Sequence, residues 1–270
     1  MAKILFAIAV SIIASACVHE FPFRQGEVDQ NTIVVDGYIT NEYKRHTIQL
    51  TRLSSYEDTV RNMIKGAFIA VSSDDSTYYY KEVSDGIYES VNKFVGVVGN
   101  VYFLHIELGD SIVLSAKSTM MPVIPPDKIT FHKHSDSMRS INYIAESFVS
   151  DHPAKYVIQL QWTDSTSHDR RIANLYYYSL TTVDISQLFA PKVQETRFPK
   201  GTQLIERKYS IDKDYEIYLR SLLAETLWSG GYFDEAHGNL QTNIQCDRGR
   251  KKTAGYFSAN TVYIDTMVVE

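Results

Sequence analysis

From Ile33 onward, apolar and polar side chains alternate in short runs separated by turn residues. Ile33-Val34-Val35-Asp36-Gly37-Tyr38-Ile39 reads as a strand. In His46 to Leu53, Thr47, Gln49 and Thr51 alternate with Ile48, Leu50 and Arg52. That period of two gives a strand one wet face and one mostly apolar face. Gly66 to Ser72 predicts another short strand. Thr77 to Val83 and Ile87 to Ser90 flank Asp85-Gly86, and Val101 to Leu108 and Ser111 to Ser118 flank Gly109-Asp110. Both dipeptides suit hairpin turns, because glycine accepts positive φ. Some seven short strands in about 90 residues predict an immunoglobulin-like or transthyretin-like β-sandwich over residues 31–121. Pro122, Pro125 and Pro126 cannot donate to a ladder and mark a stiff connector over 122–127.

Residues 128–270 read as a second β-rich domain with one helix. Tyr156 to Trp162 alternates with Ile158, Leu160 and Trp162 on one face, Asp164 to Arg171 is a polar loop, and Leu175 to Val183 and Gln203 to Tyr209 are further strands. The period then changes. Tyr215, Tyr218, Leu219, Leu222, Leu223 and Leu227 fall at helical spacing and predict an amphipathic helix near 213–228. Asp212 or Asp214 can cap its start, Glu216 and Arg220 form an i,i+4 pair, and Gly230-Gly231 stops it. This helix is expected to lie on a sheet. Ala254 to Ala259 and Val262 to Val269 are strand-like, which ties the C-terminus into a sheet.

The first residues follow a different logic. Lys3, the apolar run Ile4 to Ile13 and the small residues Ala14-Ser15-Ala16 form the charged, apolar and cleavage regions of a secretory signal over residues 1–16. The run is too short for a membrane span, which needs about 20 apolar residues. Cys17 stands first after the small residues, as in the lipobox of bacterial lipoproteins. The expected outcome is acylation of the Cys17 thiol and cleavage before it, with residues 17–30 serving as a tether. An ordinary secretory signal with an accidental cysteine is the competing reading. Several acyl chains on one residue suffice for stable membrane attachment.

Composition narrows the class. The 270-residue chain carries a net charge of −5, which argues against nucleic-acid partners. Its hydrophobic content of 44% is that of a folded globular chain. Only Cys17 and Cys246 are present, so acylation of the first leaves the second without a disulfide partner. The 19 tyrosines and 12 phenylalanines fit strand propensity, and exposed ones also suit sugar or protein contacts.

Motifs of catalysis are scarce. His132 and His134 are two apart, so a strand would present both on one face. A metal site needs a third ligand, for which His152, His168 and His237 are candidates by existence alone. Asp74-Asp75 and Asp164 with Asp169 do not match the twelve-residue calcium loop. Ser90-Val91-Asn92-Lys93 has the S-x-x-K spacing of an acyl-enzyme but lacks the partner motifs and the helical setting. No catalytic residue, metal site or cofactor is expected. Arg248, Arg250, Lys251 and Lys252 place four cations in five residues beside Cys246. They are candidate contacts for an acidic partner, an anionic glycolipid or phosphate, or simply a solvated loop. Trp162 and Trp228 are candidate ligand contacts.

A resemblance enters here. Ile33 to Thr40, Gly86-Ile87-Tyr88, Val97 to Tyr102, Pro122 to Pro126, Tyr218 to Leu222, Gly238 to Asn243 and Gly255 to Ala259 occur in an order that resembles a Bacteroidota outer-membrane lipoprotein family of unknown function. The resemblance covers nearly the whole chain after the signal. It departs between Asn239 and Gly255, where relatives have a short glycine-rich link and this chain has the basic run. It implies a lipid-anchored accessory protein of the outer membrane, encoded beside TonB-dependent receptors of the starch-utilisation (SusC-like) type, with no assigned catalytic residues. Glu20 is the lone acid near Cys17, which leaves the membrane face, periplasmic or cell-surface, open. Three functions compete: a non-catalytic accessory protein working with such a receptor, a surface module for a glycan or peptide ligand, and a hydrolase with scattered acids.

Overall fold

The computed structural model describes residues 29–270 apart from 56, 57, 59, 75, 127, 145–151, 183, 193 and 232–239. The expected signal, Cys17, most of the tether, Asp75, His237, Gly238 and Asn239 lie outside the described residues. The elements are β1 (Ile33–Thr40), β2 (Thr47–Arg52), β3 (Phe68–Ser73), β4 (Ser76–Ser84), β5 (Ile87–Ser90), β6 (Val101–Leu108), β7 (Ile112–Thr119), β8 (Thr130–Lys133), β9 (Met138–Tyr143), β10 (Ala154–Thr163), β11 (Arg170–Ser179), helix α1 (Ile185–Leu188), β12 (Phe198–Pro199), β13 (Gln203–Ser210), helix α2 (Lys213–Glu225), β14 (Gln245–Arg248), β15 (Thr253–Asn260) and β16 (Val262–Val268).

The fold is mainly β and forms a sandwich, as the alternation predicts. Nine strands make one sheet in the order β14-β7-β6-β3-β4-β5-β2-β1-β15. The sheet folds over on itself around a single core. Ile33, Val35 and Ile39 of β1, Ile48 and Leu50 of β2, Ile69 and Val71 of β3, Leu104 and Ile106 of β6 and Leu114 of β7 all point into it. Each such side chain contributes about 1.5–3 kcal/mol when fully buried, so the alternating pattern fixes which face turns inward. The Asp85-Gly86 hairpin forms with Gly86 at φ +65°. At the β6–β7 turn it is Ser111, at φ +61°, and not the neighbouring glycine that takes the left-handed conformation.

The two edges of this sheet come from the far end of the chain. β15 pairs in parallel with β1, Ile33 opposite Thr253 through to Thr40 opposite Asn260. β14 pairs antiparallel with β7. A division at 31–121 and 128–270 therefore does not describe the strand pairing, because residues 245–260 complete the first sheet. The physical reason is that β1 and β7 would otherwise carry bare edges, and Phe257, fully buried, and Ala259 supply apolar surface to that same core.

The second unit stacks two sheets. β11-β10-β13-β16 is antiparallel, and β12-β9-β8 packs across it. Ile158 and Leu160 of β10 and Leu204 of β13 meet Ile129, Ile144 and Phe198. The expected strand at 175–183 runs instead from Arg170 to Ser179, in register with β10 along its whole length. The loop before it closes tightly, since Asp164 Oδ1 accepts from the Thr166 and Ser167 N–H groups at 2.8 and 3.0 Å.

Helix α2 forms where the period changes, with Asp212 as its cap. It ends at Glu225, three residues before the expected end, and the chain continues in a turn to Gly230. Leu219, Leu223 and Ala224 are its buried apolar side chains, packed with Leu180, Ile211 and Trp228, while Leu227 is exposed. The helix lies on the outward side of β15. Tyr256 points away from the first core and stacks on Tyr215 with ring centroids 4.8 Å apart. A polar seam runs beside it. Ser210 Oγ and Thr261 Oγ1 both donate to the Met121 carbonyl at 2.7 Å, and Asn260 Nδ2 donates to the Ser210 carbonyl at 2.7 Å.

Candidate functional site

A cleft of about 830 Å³ lies in the second unit, alongside β11, the edge strand of its sheet. Its walls come from the end of β9 (Ile141 to Tyr143), from β11 (Asn174 to Tyr178), from α1 and the segment after it (Gln187, Gln194 to Thr196), and from Leu227 and Trp228. Period-two alternation explains its aromatic character. Tyr177 packs toward the sheet core and Tyr178 toward the helix cluster, while Tyr176 stays 53% exposed. Burial pushes the Tyr177 and Tyr178 hydroxyls above their ordinary pKa, so both are neutral donors.

The polar wall is set by a relay from α2. Glu216, buried in the helix, accepts from the Thr181 N–H at 2.7 Å and its hydroxyl at 2.8 Å. Arg220 donates to Thr182 Oγ1 at 2.6 Å and lies 3.4 Å from Asp184. Asp184 then caps α1 by accepting from the Ser186 N–H at 2.8 Å. This chain of contacts fixes Gln187, whose Oε1 is buried without a hydrogen-bond partner. A buried carbonyl oxygen left so is costly.

Glu195 is the one carboxylate in this lining among the described residues. Ser140 Oγ donates to it at 2.5 Å, and His134 and Arg197 stand 3.3 and 3.5 Å away. The Ser140 hydrogen bond, aided by the Arg197 guanidinium, holds the Glu195 carboxyl below its usual range. His134 Nε2 is also 2.8 Å from Ser140 Oγ. The trio is not a nucleophile relay. The acid and the serine meet the same ring nitrogen, whereas a triad needs them on opposite nitrogens, and Ser140 is fully buried.

Of the sequence candidates, Trp228 is brought to this cleft, at 7% exposure. Trp162 is not; it packs against the core of the four-stranded sheet. Neither indole is an open platform. Arg248, Arg250, Lys251 and Lys252 lie away from the cleft, at the start of β15 and the beginning of β1. Cys246 is a free, half-buried thiol whose sulfur accepts from the Lys251 N–H at 3.3 Å. His132 and His134 do share a neighbourhood, with ring centroids 5.5 Å apart. No group of three or more His, Cys, Asp or Glu among the described residues is placed to hold a metal ion. Ser90 is buried and spends its hydroxyl on the His46 N–H and the Asn92 carbonyl. Sequence reasoning missed Tyr143, Gln187 and Gln194 as site residues. The Tyr176-Tyr177-Tyr178 run was their one visible signal, and it is equally a strand signal.

The model of the family described as Domain of unknown function (DUF4249) matches residues 19–264, and the chain belongs to that family. No curated protein matches it. Among solved structures, the FN1–FN3 domains of chicken CNTN1 are similar at 12% identity and a TM-score of 0.30, over 67% of this chain and 62% of that one. The match thus spans less than two thirds of that chain.

Proposed function

We propose that this DUF4249 chain is a non-catalytic accessory lipoprotein of the outer membrane. It is held by lipid at Cys17 and captures a nutrient ligand in the tyrosine-lined cleft for a TonB-dependent receptor. The observation that carries the binding role is the cleft itself, which tyrosine rings and the amide side chains of Asn142, Asn174, Gln187 and Gln194 line together. A mostly apolar concavity with a few fixed polar groups is the usual form of a ligand site. Tyrosine faces suit the C–H faces of sugar rings, and the amides of Asn142, Asn174, Gln187 and Gln194 suit their hydroxyls, so a glycan is the ligand class. The anchor, the envelope location and the receptor rest on the residues around Cys17 and on the family resemblance. Co-purification from mild-detergent extracts tests the receptor; a lone monomer there sinks that part. A glycan array tests the ligand class, and uniform silence across it rejects a sugar.

One observation favours a second ligand. β11 is an edge strand along the cleft, and an open edge can accept an extended peptide as an added strand. Binding of peptides with no binding of glycans decides for that reading.

A further inference from the structure

The basic loop and the lipid tether leave the protein at the same place. β15 begins beside β1, and the Ile33 N–H donates to the Lys252 carbonyl at 2.9 Å. Lys252 Nζ lies 3.5 Å from Asp29, the first described residue of the tether. The loop crosses this end of the sandwich from β14 to β15. At Gly249, φ +98°, an added Cβ would fall 2.8 Å from Ile112, so the backbone is pressed onto the end of the core and its side chains are turned outward. Arg248, Arg250 and Lys252 are exposed, and Lys251 is half-buried.

We infer that residues 248–252 form a membrane-facing contact that seats this end of the first unit on the anionic phospholipid headgroups of the bilayer holding the anchor. The inference rests on the proposed acylation of Cys17. The twelve residues from Cys17 to Asp29 reach about 40 Å at most, and the opposite end of β1 lies roughly 26 Å farther out. The loop end is thus the one that needs the least of that reach to touch the membrane, and the charge of the loop selects it. The chain is acidic overall, at −5, yet this loop concentrates four cations. Among the described residues the acids nearby are few and partly engaged: Asp29 pairs with Lys252, Asp58 accepts from the Ser55 N–H, and Asp247 stands exposed beside Arg248. Leu53, 39% exposed, adds apolar surface at the same end, where its N–H meets the Thr32 carbonyl. Attraction between such a loop and anionic lipid acts within about 8 Å at physiological salt, so it operates when the loop touches the surface and complements the acyl chains as a second anchoring signal.

The test is vesicle flotation with the processed chain, beginning at residue 17 and carrying Cys17→Ser to remove the acyl contribution. Vesicles of phosphatidylcholine with phosphatidylglycerol are expected to retain it, pure phosphatidylcholine is not, and added salt should release it. Each basic residue near such a surface is worth about fivefold in partitioning, so Arg248→Gln with Arg250→Gln and Lys251→Gln should weaken retention on the order of a hundredfold. Arg170→Gln with Arg171→Gln, on the distant β10–β11 hairpin, should leave it within a few fold. Equal retention on both vesicle types, or equal loss in both variants, overturns the inference. The acylation it rests on is read separately, by mass spectrometry of the chain from its native host, so each failure is recognisable by itself.

Discussion

The Ser118 hydroxyl donates to Asp212 Oδ2 at 2.8 Å, while the other oxygen of the same carboxylate caps α2 by accepting from the Tyr215 N–H at 2.7 Å. One side chain thus starts the helix of the second unit and grips the last strand of the first half of the sandwich. Asp212→Ala should cost about 2–3 kcal/mol, a lost cap plus a stranded buried hydroxyl. Asp212→Asn, which keeps the capping oxygen, should cost about half as much. Urea denaturation of both, with Ser118→Ala in a double-mutant cycle, checks the coupling; additive effects would show that the two roles are independent.

Gly255 sits in β15 at φ +83°, and a Cβ there would lie 2.0 Å from the Val35 carbonyl oxygen. Gly255→Ala must therefore separate β15 from β1. A loss of at least about 3 kcal/mol is expected, by backbone strain and broken pairing together. Thermal unfolding measures it, and a shift of only a degree or two would contradict the parallel pairing.

Two buried groups tilt stability in opposite directions across mildly acidic pH. Burial pushes His46 down to about 4, its Nε2 sitting 3.2 Å from the Phe94 carbonyl. The unfolded chain takes that proton near 6.5, so the His46 contribution is complete above that pH and is lost as pH falls toward 4. Burial, then the Asp265 charge, pushes Glu206 up to about 7. Its contribution is complete below the unfolded value near 4.5 and is lost as pH rises toward 7. Glu206→Gln removes the second slope alone. The variant should gain on the parent by on the order of 3 kcal/mol between pH 4.5 and 7, measured from denaturation midpoints at each pH. A constant difference would place Glu206 in contact with solvent.

The cleft separates binding from folding at two positions. Tyr176 is 53% exposed, so Tyr176→Ala should change stability by no more than about 0.5 kcal/mol. Gln187→Leu removes the partnerless buried oxygen and should hold or raise the melting temperature. Both should lower affinity for any sugar scored on the array by about tenfold, read by titration calorimetry. Unchanged affinity in both would move the ligand elsewhere.

The strands of residues 33–119 are legible because each is a local alternation: Ile48 and Leu50 turn inward as written, and the helix start at Asp212 follows from its side chain. The partners of β14 and β15 are not local. Nothing in Thr253 to Asn260 states that its neighbour is a strand more than two hundred positions earlier, and a strand-like run fits either sheet until two bare edges are counted. The cleft is harder still. Tyr143, Tyr176, Gln187 and Trp228 come from four segments, and their meeting depends on the Glu216–Thr181 contact, which carries no sequence period.

The closure of the sandwich by residues 245–260 sets an order of events during biogenesis. When the first half of the chain has been synthesised, β1 and β7 both wait with open flanks, and they wait until residues 245–260 have been made. Long-range pairing of this kind is slow, and exposed flanks invite pairing with other chains. Those flanks need shielding until residues 245–260 arrive, and removing these residues takes away the first half's native state along with the second's.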